Sequence, residues 1–253
     1  MEVHTHTHTA RKKWTHYFWE FLMLFLAVFC GFLAENQREH YVESHRAKDY
    51  AKALLEDLAK DTVEIKDVIR ENKIVLSFFD SIGAIIKNGI KNNFVPGNFY
   101  YYCTVATTSP TVVWNDVTFT QITQSGNLRY FKNRELIKRM STYFSQSNYV
   151  TALNNNDKRY REKSMELRSR VLDYSFFSRF SAYGISNLLE VPDSLMNVLI
   201  PIKNNDKELL NEFANSFENR RGFMLFTINK VYADALKQAN ELMLLLKKEY
   251  NLK

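Results

Sequence analysis

The side chains able to do chemistry are distributed unevenly. All six histidines, His4, His6, His8, His16, His40 and His45, precede residue 46. Without imidazole, residues 46–253 cannot assemble a Ser-His-Asp or Cys-His nucleophilic unit, nor a histidine-ligated metal centre. His4, His6 and His8 alternate with threonine. In an extended segment they would face one way and offer three imidazoles to one metal ion, but no fourth ligand is in view and a plain polar tail accounts for them more simply. The glycines never cluster, so no phosphate-cradling loop is visible. Asp57 and Asp61 stand one helical turn apart, a spacing open to a general acid–base pair; on an amphipathic helix such pairs are ordinarily surface charges. Cys30 lies in an apolar run, which leaves Cys103 without a partner for an internal disulfide. The expectation is a protein that is not an enzyme, with no catalytic, cofactor-binding or metal site to assign.

What must position any other site is organised around residues 17–34, YFWEFLMLFLAVFCGFLA. Eighteen residues at about 1.5 Å each make a helix of roughly 27 Å, close to the hydrocarbon thickness of a bilayer. Trp14, Tyr17, Phe18 and Trp19 gather at its start, where amphipathic rings favour the headgroup layer. Glu20 lies near the first turn, within reach of water. A cleaved signal peptide would need small residues before its cleavage point, and a buried core helix would seldom carry so long an apolar run beside an aromatic collar. Arg11, Lys12 and Lys13 precede the run and an acidic-leaning flank beginning at Glu35 follows it. By the excess of basic residues on the inner side, this predicts a short tail (1–16) inside, one transmembrane helix (17–34) and a domain (35–253) outside.

The composition suits one anchor and one sizeable folded domain: 45% hydrophobic and 14% aromatic residues, with only seven glycines and four prolines, too few for a turn-rich sheet fold. The net charge of +6 is spread along the chain, so a nucleic-acid partner is not expected.

Three long segments carry helical periodicity. From Glu35 to about Asn88, Tyr50, Leu54, Leu58, Ile65, Val68 or Ile69, Leu76 and Phe79 form one apolar stripe, and this helix and the span can be one continuous element. Gly83, Gly89, Asn92, Asn93 and Pro96-Gly97 end it. Residues 98–113 read as strand, short helix or packed loop. Asn115 or Asp116 is placed to cap a short helix closed by Gly126, and Asn133 to cap the next. That next helix keeps a three–four rhythm from Leu136 to Val171 through several polar positions, including Asp157 and Ser164, a broken heptad with a possible interruption at Asn154–Asn156. Its basic far half reads as a solvated face. Pro192-Asp193 opens a one- or two-turn helix, and the last helix runs from about Asp206 to Tyr250 on a stripe including Leu210, Phe213, Phe217, Met224, Ile228, Val231, Ala235, Leu242 and Leu245. The fold class expected is therefore all-α: an N-terminal transmembrane helix continuing into an antiparallel bundle of long helices. If the helix beginning at Asn133 returns toward the span, the aromatic turn 174–189 comes to the membrane surface.

Three pieces together resemble a family of uncharacterised bacterial single-pass inner-membrane proteins, a domain of unknown function. They are Trp19-Glu20-Phe21-Leu22 at the start of the span, the helix carrying Tyr50, Leu54-Leu55-Glu56-Asp57-Leu58 and Asp61, and Gln124-Ser125-Gly126-Asn127-Leu128-Arg129 leading into a helix with Tyr143 near its middle. The family has Asn-Asn-Trp after the span, where this chain has Glu35-Asn36-Gln37. The resemblance implies a bacterial inner-membrane location, N-terminus cytoplasmic and C-terminal domain periplasmic, and implies no activity.

Two functional classes follow. One is a membrane-anchored interaction or sensory module whose partner is another membrane or periplasmic protein. The other is a structural subunit of a homo-oligomer or larger membrane complex. A third reading, a ligand binder walled by Tyr100–Tyr102 and Trp114, competes with core packing of the same rings.

Overall fold

The computed structural model describes residues 14–185 and 190–252. The His4/His6/His8 tract therefore lies outside the described residues. The chain forms two compact units, Met1–Tyr50 and Ala51–Lys253.

The described part of the first unit is the beginning of helix α1, which spans Trp14–Lys87, 74 residues without a break. No proline interrupts it, as expected from the sequence. Between Trp14 and Leu33 its large apolar side chains are exposed, apart from the half-buried Leu22. Phe21, Phe25 and Phe29 stack along one face at centroid spacings of 6.2 and 5.8 Å. Glu20 does not stand alone, since His16 Nε2 lies 3.0 Å from its carboxylate one turn earlier. The apolar run ends at Glu35, which accepts two hydrogen bonds from Arg38 at 2.6 and 2.9 Å, and these hold its carboxyl below the usual range. Among the described residues, α1 is the one helix long and apolar enough to cross a membrane.

The second unit is a helical bundle. After α1 come strand β1 (Phe94–Pro96), α2 (Gly97–Val105), α3 (Val117–Gln124), a 3-10 turn (Asn127–Tyr130) and α4 (Arg134–Val171). Then follow α5 (Tyr174–Phe177), α6 (Asp193–Met196), strand β2 (Leu199–Pro201), α7 (Lys207–Phe226), a π-helical turn (Thr227–Tyr232) and α8 (Ala233–Tyr250). The caps read from the sequence are largely found. Asn133 accepts from the Glu135 and Leu136 amides, and Gly126 takes φ +71° just beyond α3. At the start of α3, Asp116 makes no side-chain cap, and the Asn115 side chain donates to Asp61 instead. Asn154–Asn156 do not interrupt α4. The stretch left open, 98–113, is helix as far as Val105 and irregular beyond it. One small sheet adds to the all-α plan: β1 and β2 pair antiparallel, with Val95 opposite Ile200 and both buried.

Burial on α1 follows a strict alternation of threes and fours: Ala51, Leu54, Leu58, Asp61, Ile65, Val68, Asn72, Val75, Phe79 and Ile82. That is the seam of a heptad helix, whose under-wound repeat keeps one edge facing its partners. Two positions on it are polar, Asp61 and Asn72, and they proved to be the informative ones. On α4 the polar members Asp157 and Ser164 are buried, while Ser147, Asn154 and Arg161 on the same rhythm are only partly covered, so the heptad is broken as the sequence reads. On the last helix Leu246, not Leu245, completes the stripe. The π turn, a single wide turn within the helix, comes between the stretches that pack on α4.

The long helices pack as expected, but their directions differ from the sequence argument in one respect. Asp61 on α1 meets Tyr143 on α4, Val68 clusters with Val150 and Leu153, and Val75–Ile82 cluster with Leu167 and Val171. The numbers climb together, so α4 runs in the same sense as the 51–87 stretch of α1. The antiparallel member is the last helix: Asn133 reaches Glu249, Arg139 reaches Glu241, Asp157 reaches Arg220 and Lys163 reaches Glu212. The reversal is made by residues 88–133 instead. Their irregular stretch 106–116 descends α1 from Asn72, which donates to Pro110 O at 2.9 Å, to Asp61, which accepts from the Asn115 amide at 2.8 Å. The turn after α4 accordingly sits beside the far end of α1's packed half, where Phe78 meets Tyr101 and Tyr101 donates to Gly184 O. The directional argument that brought 174–189 to the bilayer loses its premise, and residues 186–189 lie outside the described ones.

Candidate functional site

Buried polar groups are the natural place to look for chemistry, because each costs free energy unless it is answered. The larger of them here, Asp61, Asn72, Asp157 and Arg220, are answered by the crossover 106–116, which identifies their work as structural. Asp61, fully buried, accepts from the Asn115 amide and side chain (2.8 and 2.9 Å) and from Tyr143 Oη (2.8 Å). Burial, with the Asp61 charge beside it, pushes the Tyr143 phenol far above its ordinary value. Asp57, one turn away and the other half of the acid–base pair considered above, takes part in none of these bonds. On the other side of the crossover, Arg220 is fully buried on α7 and pairs with Asp157 on α4 through two hydrogen bonds of 3.0 and 3.1 Å. Its remaining N–H groups donate to the carbonyls of Ala106 and Thr108, at the end of α2, and Ser109 donates to Asp157 at 2.8 Å. A guanidinium suits the electronegative end of a helix, and here it locks two helices and the crossover in one register.

The rings read as a pocket wall belong to the core packing, Tyr102 and Trp114 as half-buried rings against it. Tyr100 and Tyr101 are buried, donating to Pro201 O (2.7 Å) and Gly184 O (3.0 Å), and burial pushes both phenols up to about 12. Trp114 packs edge-on against Tyr143 at 5.8 Å. Cys103 is buried, and burial raises its thiol well above the usual range, so it is no nucleophile. Among the described residues no cluster of histidine, cysteine or acidic side chains could hold a metal ion.

One place differs. Where α4 ends, Arg168, Ser169, Leu172, Asp173, Tyr174, Phe177 and Lys203 line a cleft of about 420 Å³. The sequence puts it there through caps. Asp173 opens α5 by accepting from the Ser175 amide (2.9 Å) and hydroxyl (2.6 Å), and its own amide donates to Tyr100 Oη at 3.0 Å. Those bonds from Ser175, with the nearby Lys203 charge adding to them, hold the Asp173 carboxyl below its usual range. The other wall is fixed by the Lys203 amide, which donates to Val171 O at 2.9 Å. Arg168 lies half-buried between them, with Phe177 stacked 4.4 Å from its guanidinium carbon. It donates to Cys103 O at 3.4 Å and to Thr107 Oγ1, and it pairs with no carboxylate among the described residues. Burial draws its pKa down from the ordinary value.

Comparison with known protein families, curated proteins and solved structures finds no match. The functional reading therefore rests on geometry.

Sequence reasoning assigned no site residue and missed this cleft. Arg168 was one of several basic residues on a helix face read as solvated. Nothing in its neighbours along the chain distinguishes it from Arg170, which pairs with Glu212 across the bundle. The one available signal was the aromatic turn Tyr174–Phe177 following directly on a basic helix end.

Proposed function

We propose that the protein is a single-pass membrane protein that presents its helical bundle outside the cytoplasmic membrane as an interaction or sensory module, without catalysis of its own. The observation that carries this is the exposed apolar stretch of α1 running unbroken into a helix with a strict heptad seam. Large apolar side chains exposed on every face of one helix need a lipid environment, and the seam needs a packed domain. The basic residues before the span set the N-terminus inside, as the resemblance to single-pass inner-membrane proteins also implies. The structured part offers buried polar groups that fasten helices together and one cationic, ring-walled cleft, a pattern suited to recognition rather than turnover.

Alkaline carbonate extraction of membranes, followed by protease treatment of intact cells with permeabilised outer envelopes, tests the reading. The expected result is retention in the membrane pellet with the bundle accessible to protease. Release of the intact chain into the supernatant would overturn it. Size measurement in mild detergent separates the two classes of module: a monomer fits the interaction or sensory reading, and stable self-assembly replaces it with a structural subunit.

A further inference from the structure

We propose that the cleft at the end of α4 is a binding site for a small organic monocarboxylate with an aromatic or aliphatic body. Its carboxylate would be held by Arg168 and Lys203 and its body laid against Phe177 and Tyr174.

Four observations converge on this class of ligand. First, a half-buried guanidinium has lost part of its hydration without gaining a carboxylate in return. Neighbouring buried or bridging arginines are answered, Arg220 by Asp157 and Arg170 by Glu212. Only one nitrogen of Arg168, Nη1, has a protein acceptor among the described residues. Its planar fork still offers N–H donors, and that geometry matches a carboxylate. Second, Lys203 also lines the cleft, with its Nζ 3.4 Å from Ser169 O, so the cleft carries two cations. Third, Asp173 lines the cleft as well. Two positive charges against one negative leave a single positive charge, which suits a monoanion and disfavours a phosphate dianion through repulsion from Asp173. Fourth, Phe177 is already stacked on the guanidinium and Tyr174 is 81% exposed beside it. These rings give an apolar body somewhere to lie, and about 420 Å³ is room for a compact organic acid.

The other clefts lack this combination. In the one lined by Glu135, Arg139 and Glu241, the arginine is taken by both acids. The one near Lys87 and Lys207 carries two lysines but no ring. The proposal does not depend on the membrane reading. Loss of membrane retention would leave it standing, and an empty cleft would leave the anchor standing.

The test is a titration of the full chain in detergent micelles with 4-fluorophenylacetate, followed by fluorine NMR and calorimetry. 4-Fluorophenylacetamide and inorganic phosphate serve as comparison probes. Saturable one-site binding of the carboxylate with a Kd at or below about 1 mM is expected, with the neutral amide at least about tenfold weaker for want of a charge-assisted hydrogen bond. Arg168→Lys keeps the charge and removes the fork, and should weaken binding about tenfold. Because Arg168 also holds Thr107 and the Cys103 carbonyl, two exposed positions carry the decision independently of folding: Lys203→Gln and Tyr174→Ala should each weaken binding severalfold at unchanged Tm. No saturable signal up to about 10 mM would overturn the proposal, since only a negligible affinity escapes that range. So would binding indifferent to Lys203→Gln and Tyr174→Ala, equal binding of the amide, or tighter binding of phosphate.

Discussion

Replacing Arg220 by methionine should be among the most damaging single changes in the bundle, and the structure says by how much. The side chain is wholly buried and makes four hydrogen bonds, two to Asp157 and one each to the Ala106 and Thr108 carbonyls. Methionine fills much of the volume, so cavity formation is a small part of the cost. The larger part is the Asp157 carboxylate, left buried with only Ser109 donating to it, for which breaking a buried ion pair costs about 3–5 kcal/mol. The two abandoned carbonyls add to this, at about 1–3 kcal/mol each when no water replaces the donor. For a domain of this size about 2–4 °C of Tm accompany each kcal/mol, so a fall of at least about 6–20 °C is expected. The assay is thermal unfolding of the full chain in detergent, followed by circular dichroism. The double variant Arg220→Met/Asp157→Leu removes the stranded charge while leaving the carbonyls unanswered. It should be more stable than Arg220→Met alone, although it carries one more substitution. A Tm for Arg220→Met within about 2 °C of the parent, or a double variant showing the sum of both single losses, would refute the reasoning that these charges answer each other in a dry environment.

Gly97→Ala should destabilise the domain by about 1–3 kcal/mol, because the added methyl would overlap the Leu195 carbonyl oxygen, where backbone must move. Gly222→Ala, on an exposed face of α7 with open space around it, should instead stabilise by about 0.5–1 kcal/mol; paired denaturant titrations check both signs. Gly126→Val should cost about 1 kcal/mol or more in the same assay through its φ of +71° alone, since nothing crowds the position. Alkaline unfolding follows from Tyr100 and Tyr101, whose phenols are raised from 10.0 to about 12. Above pH 10 the unfolded chain releases protons that the folded chain keeps, so the stability these groups contribute is intact below pH 10 and falls as the pH rises toward 12. A midpoint that stays level across that window in pH-jump denaturation would contradict their burial.

The sequence by itself determined everything that depends on neighbours along the helix. The apolar run 17–34, the caps at Asn133 and Gly126 and the long periodic stripes are local statements, and they hold because capping and amphipathic patterning act within a turn or two. The stripe of α1 was legible in its middle, with Tyr50 and Leu76 read where the seam has Ala51 and Val75; its polar positions were not, for a physical reason. Asp61 and Asn72 look like solvent residues until something is known to lie across from them, and what lies across is the irregular crossover 106–116, which has no periodicity to read. The same holds for Asp157, visible on the stripe of α4, whose partner Arg220 is 63 residues away. Direction was decided only by tertiary structure. Whether α4 runs with α1 or against it depends on whether 88–133 turns the chain once or carries it back along the bundle, and hydrophobic periodicity is the same in both cases. The cleft is a further step removed. Arg168 becomes distinctive through the carboxylate it lacks among the described residues, and that is a property of the packed molecule that no stretch of sequence contains.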